Sequence, residues 1–90
     1  MNMSDARSAT VEAVRAILEQ TLSLGGRAAQ LADGSRLLGA IPELDSMAVV
    51  NVLTAIEDRF GVTVEDDELD AQTFATFGAL VAFVDSKIQA

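Results

Sequence analysis

An all-α fold is predicted for this 90-residue chain: a small four-helix bundle with three longer helices, one short helix and a long first loop. Three observations predict it. Apolar residues recur at three- and four-residue steps in three separate stretches that lack internal proline. The one β-branched run, Val62-Thr63-Val64, has no second strand to pair with. Half of the residues are hydrophobic and 22% are charged, a globular composition at a length that makes one domain, 1–90, with its core over about 4–88.

The first helix is expected from about Ser4 to Leu24, where Val11, Val14, Leu18 and Leu22 form the apolar stripe and Ala6, Ala9, Ala13 and Ala16 keep helix propensity high. Gly25-Gly26 should end it through a left-handed C-terminal cap. From Gly25 to Leu44 the chain carries Gly34, Gly39 and Pro42 without a sustained period, so it reads as a long loop. Leu31, Leu37, Leu38, Ile41 and Leu44 are too many apolar groups for a free linker, and the loop is expected to lie on the core.

Asp45 is a good N-cap for a second helix over Ser46 to Phe60, with Val49 or Val50, Leu53, Ile56 and Phe60 on helical spacing and Gly61 as the stop. Val62-Thr63-Val64 then reads as an extended connector. The acidic run Glu65-Asp66-Asp67-Glu68-Leu69-Asp70 places negative charge where the positive end of a helix dipole favours it, which suggests a turn or two of short helix. A last helix from about Thr76 to Ile88 turns Leu80, Val81, Val84 and Ile88 to the core, with Phe77 and Phe83 beside them and Lys87 in its last turn. The phenylalanines at 60, 74, 77 and 83 read as core rather than as ligand-stacking groups.

Charge and composition exclude several functions. Fourteen acidic residues against six basic ones leave a net charge of −8, so clustered Lys and Arg for nucleic acid or an anionic membrane are missing and a basic partner is expected. No Cys and no His removes thiolate and imidazole metal sites, disulfides, and a Cys or His nucleophile. The acidic run lacks the spacing and central glycine of a calcium loop, which leaves no metal site expected. No stretch reaches the roughly 18 apolar residues of a membrane span, and the start of the chain does not read as a signal peptide, so a cytoplasmic monomer without membrane insertion is expected.

One hydroxyl stands out. Ser46 directly follows the capping Asp45, at the first turn of the second helix and after the long loop. Free amides and the dipole at a helix start favour a phosphate there. With no His or Lys close by to act as base, Ser46 is a poor enzyme nucleophile and a better acceptor, and no enzymatic activity is expected.

Leu44-Asp45-Ser46-Met47, opening a helix that ends Ala55-Ile56-Glu57-Asp58-Arg59-Phe60-Gly61-Val62, resembles the modification site of acyl and peptidyl carrier proteins. The acidic patch Glu65–Glu68 and the closing Phe74-Ala75-Thr76-Phe77-Gly78-Ala79-Leu80-Val81 fall where that family has its short third helix and the start of its fourth. The resemblance implies that Ser46 carries a covalent 4′-phosphopantetheine arm derived from coenzyme A, with Asp45 as helix cap and recognition residue for the transferase. It implies a carrier that shuttles thioester-bound acyl groups between enzymes, or, as the alternative, an aminoacyl or peptidyl carrier of the D-alanyl kind. The implied partners are a phosphopantetheinyl transferase, an acyl- or aminoacyl-loading ligase, and acyl-using enzymes with basic docking surfaces. Met47 and Val50 would supply apolar contact, and Glu57 and Asp58 charge. Met47 stands where leucine is commoner and Ala48 replaces an often acidic residue, departures that bear on the partners and not on the modification. Leu37-Leu38-Gly39-Ala40-Ile41-Pro42-Glu43-Leu44 is also similar to short stand-alone carriers of exopolysaccharide and exosortase-linked clusters. A helical adaptor without prosthetic group is the reading from a different class, which the intact Asp45-Ser46 pair argues against.

Overall fold

A computed structural model describes residues 3–65, 68 and 71–89, with side chains from 7 to 88 within those ranges. It contains three α-helices: α1 (Met3–Leu22), α2 (Ser46–Phe60) and α3 (Phe77–Gln89). Among the described residues there is no sheet; Arg36 and Thr76 form a single antiparallel bridge. The short helix expected over Glu65–Asp70 lies mostly outside the described residues, of which that run contributes only Glu65 and Glu68.

Helix α1 packs against both α2 and α3. Val14 and Leu18 of α1, Val52 and Ile56 of α2, and Phe77, Leu80, Val81 and Val84 of α3 meet in a core from which solvent is almost wholly excluded. Removing each such side chain from water contributes about 1.5–3 kcal/mol, which is what holds a valine-rich α2 helical. Thr10 Oγ1 donates to Asp85 Oδ1 at 3.0 Å and adds a polar tie between α1 and α3.

Three expectations need correction. First, α1 stops at Leu22, and the left-handed cap residue is Ser23 (φ 52) rather than a glycine; Leu24 N–H reaches back to Glu19 O at 3.2 Å, the six-to-one bond of a Schellman end. Gly25 and Gly26 open the next element instead. Second, the stretch read as a continuous loop contains a 3-10 turn, Arg27–Gln30, with Ala28 buried. Glu19 Oε1 accepts from the amides of Gly26 (2.9 Å) and Ala28 (3.3 Å), so this turn is capped by α1. No local period could announce it, because a side chain seven to nine residues away satisfies its donors. Third, Ile88 is 43% exposed rather than core.

The remainder of the loop lies on the core as expected, with Leu37 and Leu44 buried and Leu31 and Ile41 packed against it, while Leu38 faces solvent. It is also bonded to the start of α3. Leu37 and Leu38 N–H donate to Ala75 O and Phe74 O (both 3.0 Å), and Phe77 and Gly78 N–H donate to Ser35 O (2.8 Å) and Asp33 O (2.9 Å). A Cβ on Gly78 would stand 2.8 Å from Asp33 O, so this close approach requires glycine. Arg15 braces the same junction from below: its Nη1 donates to Ala28 O (2.6 Å) and Leu31 O (2.8 Å), and its guanidinium stands 5.1 Å from the centre of the Phe77 ring.

Candidate functional site

The start of α2 is built by Asp45. Its backbone is extended, and its side-chain Oδ1 accepts from Ala48 N–H at 2.8 Å, the N-cap geometry that the sequence predicts. Asp45 O in turn accepts from Val49 N–H at 2.9 Å. Leu44, immediately before, is buried and anchors the approach. Ser46 is then the first helical residue, exposed, and its amide and that of Met47 meet no protein acceptor among the described residues. Two open N–H groups at a helix start beside a reachable hydroxyl are a setting that favours a phosphodiester.

The residues expected to meet partners fall on one side of α2. At about 100° per residue, Ser46, Glu57, Val50, Thr54, Met47, Asp58 and Asn51 follow one another within an arc of about 140°. Met47 is 70% exposed and Val50 55%, whereas Val52 and Ile56 are buried on the opposite side and Leu53 is buried at the edge of the arc. Of the two valines at the start of α2, Val49 packs on the core and Val50 faces solvent. Asp58 is exposed. Glu57 is half-buried, and its Oε2 accepts from Val64 N–H at 2.8 Å, so one of its oxygens fastens the connector after α2. Gly61, in the left-handed conformation (φ 67), donates its N–H to Glu57 O and closes the helix as expected.

Sequence reasoning did not find Arg27 and Glu43. Arg27 Nη2 pairs with Glu43 Oε2 across the loop, and the neighbouring guanidinium holds the Glu43 carboxyl below its ordinary value, chiefly through their hydrogen bond. The acidic run shows the same pattern at Glu68, which Lys87 of α3 reaches at 2.7 and 2.9 Å and keeps below the usual carboxylate range. Neither pairing has a helical or strand spacing that could have signalled it.

An open groove of about 430 Å³ lies between α1 and the 3-10 turn, lined by Glu12, Arg15, Ala16, Glu19, Gly26, Ala28 and Ala29. Ser46 and the exposed arc of α2 are not part of it. No helix among the described residues is long and apolar enough to cross a membrane.

Comparison with known proteins shows the family. Residues 12–84 match the model of the phosphopantetheine attachment site family, a span that includes the whole of α2. The solution NMR structure of a holo acyl carrier protein from Nitrosomonas europaea is similar at 56% identity with a TM-score of 0.83, covering 89% of this chain and 96% of that one. An acyl carrier protein from Exiguobacterium sp. is 39% identical over 44 residues, 49% of this chain and 53% of that protein, so the chain spans about half the length of this curated relative. With a family match over most of its length and a relative of more than half identity over nearly all of it, the chain belongs to the acyl carrier family of phosphopantetheine-binding proteins, whose prosthetic group is 4′-phosphopantetheine.

Proposed function

We propose that the protein is an acyl carrier whose phosphopantetheine arm is attached at Ser46. The observation that carries this reading is the start of α2: a cap satisfied by Asp45 within its own turn, an exposed hydroxyl at the first helical position, and two amides with no protein acceptor. The bound arm would supply a terminal thiol that holds acyl groups as thioesters, which is how a chain without cysteine can take part in acyl transfer.

In the loading step Ser46 Oγ bonds to the pantetheine-bearing phosphorus of coenzyme A. The pyrophosphate P–O bond breaks, adenosine 3′,5′-bisphosphate leaves, and the hydroxyl proton passes to a base. This chain contains no histidine and places no lysine in α2, so the base belongs to the transferase. Asp45 keeps the helix start in place and adds negative charge beside Ser46. The open amides of Ser46 and Met47 offset the like charge between that carboxylate and the phosphodiester.

Docking rests on the same arc. Met47 and Val50 offer apolar contact to transferase, loading ligase and acyl-using enzymes, flanked by Asp45 and Asp58 and by the oxygen of Glu57 that Val64 does not occupy. Charges exposed in this way act over about 8–10 Å at moderate salt, so they steer encounter with basic surfaces. Acyl cargo is favoured over aminoacyl cargo because both relatives are acyl carrier proteins.

The experiment is intact-protein mass after incubation with coenzyme A and a phosphopantetheinyl transferase. One arm on the parent and none on Ser46→Ala is the expected result. An arm still present on Ser46→Ala overturns the assignment.

A further inference from the structure

The residues from Leu37 to Asp45 are hydrogen-bonded mainly to one another. Ala40 and Ile41 N–H both donate to Leu37 O (3.1 and 3.0 Å), Leu44 N–H to Ile41 O (3.0 Å), and Asp45 N–H to Glu43 O (3.2 Å). Leu38, further back, is fastened to Phe74 O. Between Leu38 and Ser46, the one polar side-chain tie to another part of the fold among the described residues is Glu43 to Arg27.

Arg27 is well placed to serve as the fixed end of that tie. Its Nε donates to Leu24 O at 2.9 Å, and it opens the 3-10 turn whose amides α1 caps through Glu19. Glu43 is the dependent end. Oε2 takes the guanidinium, while Oε1 is shielded from solvent and has no hydrogen-bond partner among the described residues. The charge of this carboxylate therefore has one cation to compensate its partial burial.

We propose that the Arg27–Glu43 pair is a latch that sets the position of the Ser46 hydroxyl for arm transfer, making Arg27 and Glu43 positioning residues for that reaction. The inference rests on Ser46 being the acceptor. Glu43 precedes Ser46 by only two intervening residues, one the buried Leu44 and the other the cap, so rotation of Glu43 towards water moves the turn that delivers Asp45. The two ends differ in consequence. Without Arg27, a carboxylate with a shielded oxygen has lost its only compensating charge and turns outward, taking residues 43–45 with it. Without the Glu43 charge, Arg27 still has Leu24 O and the turn is left with a neutral side chain. Arg27→Gln therefore disturbs Ser46 at least as much as Glu43→Gln.

Steady-state arm transfer to the parent, Arg27→Gln, Glu43→Gln and the exchanged pair Arg27→Glu/Glu43→Arg tests this at one ionic strength, with coenzyme A saturating and hydrogen exchange of the Ala48 amide followed in parallel. Docking groups on α2 are untouched, so KM for the carrier stays within about twofold. If an open latch leaves the set position populated at about a tenth to a third, kcat falls about 3- to 10-fold in the single variants. The Ala48 amide then exchanges faster, and the exchanged pair recovers to within about twofold of the parent. Single variants with the parent's kcat and Ala48 exchange, a loss confined to KM, or an exchanged pair as slow as the single variants would each overturn the latch while leaving Ser46 as acceptor. A parent that gains no arm overturns both.

Discussion

Two helix starts in this molecule are finished in opposite ways. At α3 the protein consumes its own donors: Phe77 N–H goes to Ser35 O, Gly78 N–H to Asp33 O, and Ala79 N–H to Thr76 Oγ1 at 3.0 Å. Phe77 itself is buried under Arg15. At α2 only Ala48 N–H is taken, by Asp45, and the two residues ahead of it point into solvent. A helix start plugged by backbone and aromatic packing can serve the fold but cannot receive a ligand. One closed locally by a single carboxylate can do both, because its stability does not depend on what occupies the surface beside it.

That contrast sets a graded series of substitutions. Phe77→Ala removes the plug and leaves a cavity under Arg15, so a loss of about 3–5 kcal/mol is expected, a large part of the stability of a domain this size, read as the midpoint of a urea melt. Gly78→Ala forces a methyl to 2.8 Å from the Asp33 carbonyl, and a loss of about 1–3 kcal/mol is expected as the loop shifts off α3. A midpoint as high as the parent's in either variant would show that α3 does not need its plug.

On the open side the effects are smaller. Asp45→Ala deletes the cap and should lower stability by about 0.5–2 kcal/mol while also slowing arm transfer; an unchanged melt would remove Asp45 from the cap role. Ser46→Ala should leave the melt within about 0.5 kcal/mol of the parent although it abolishes loading, because an exposed hydroxyl at the first helical position is not holding the fold. A Ser46→Ala variant as unstable as Asp45→Ala would mean that both helix starts are structural.

The open start was legible in the sequence and the plugged one was not. Asp45, the Gly- and Pro-free run to Phe60 and the stop at Gly61 are adjacent signals, and the observed α2 has the expected limits. The plug joins Asp33 and Ser35 to Gly78 and Phe77 through backbone atoms, which leave no mark on residue type except the glycine at 78. Val52 is fully buried although the expected stripe omits it; it stands three residues after Val49 and four before Ile56, on the face that meets α1. Ile88 lay on the α3 stripe and is exposed, because helical period predicts a face and not the point along the helix where its neighbour ends. Met47 and Val50 were singled out as contact residues through a family resemblance; their exposure is what a partner-facing role requires, and periodicity alone would have left either valine at the start of α2 as core.

The pairing of the loop with the start of α3 also decides where the chain tolerates a change of length. Asp33, Ser35, Leu37 and Leu38 each meet a fixed counterpart among residues 74–78, like teeth in a zip. One residue inserted between 33 and 38 slides the later teeth out of register, and no side chain can compensate, because the contacts are backbone to backbone. Between Gly39 and Pro42 the chain is largely exposed and its turn bonds are internal, so an inserted residue there can bulge outward while Leu37 and Leu44 keep their places. Reporter or affinity segments can therefore be carried between Gly39 and Pro42, whereas the segment from 33 to 38 admits substitutions but not extra length.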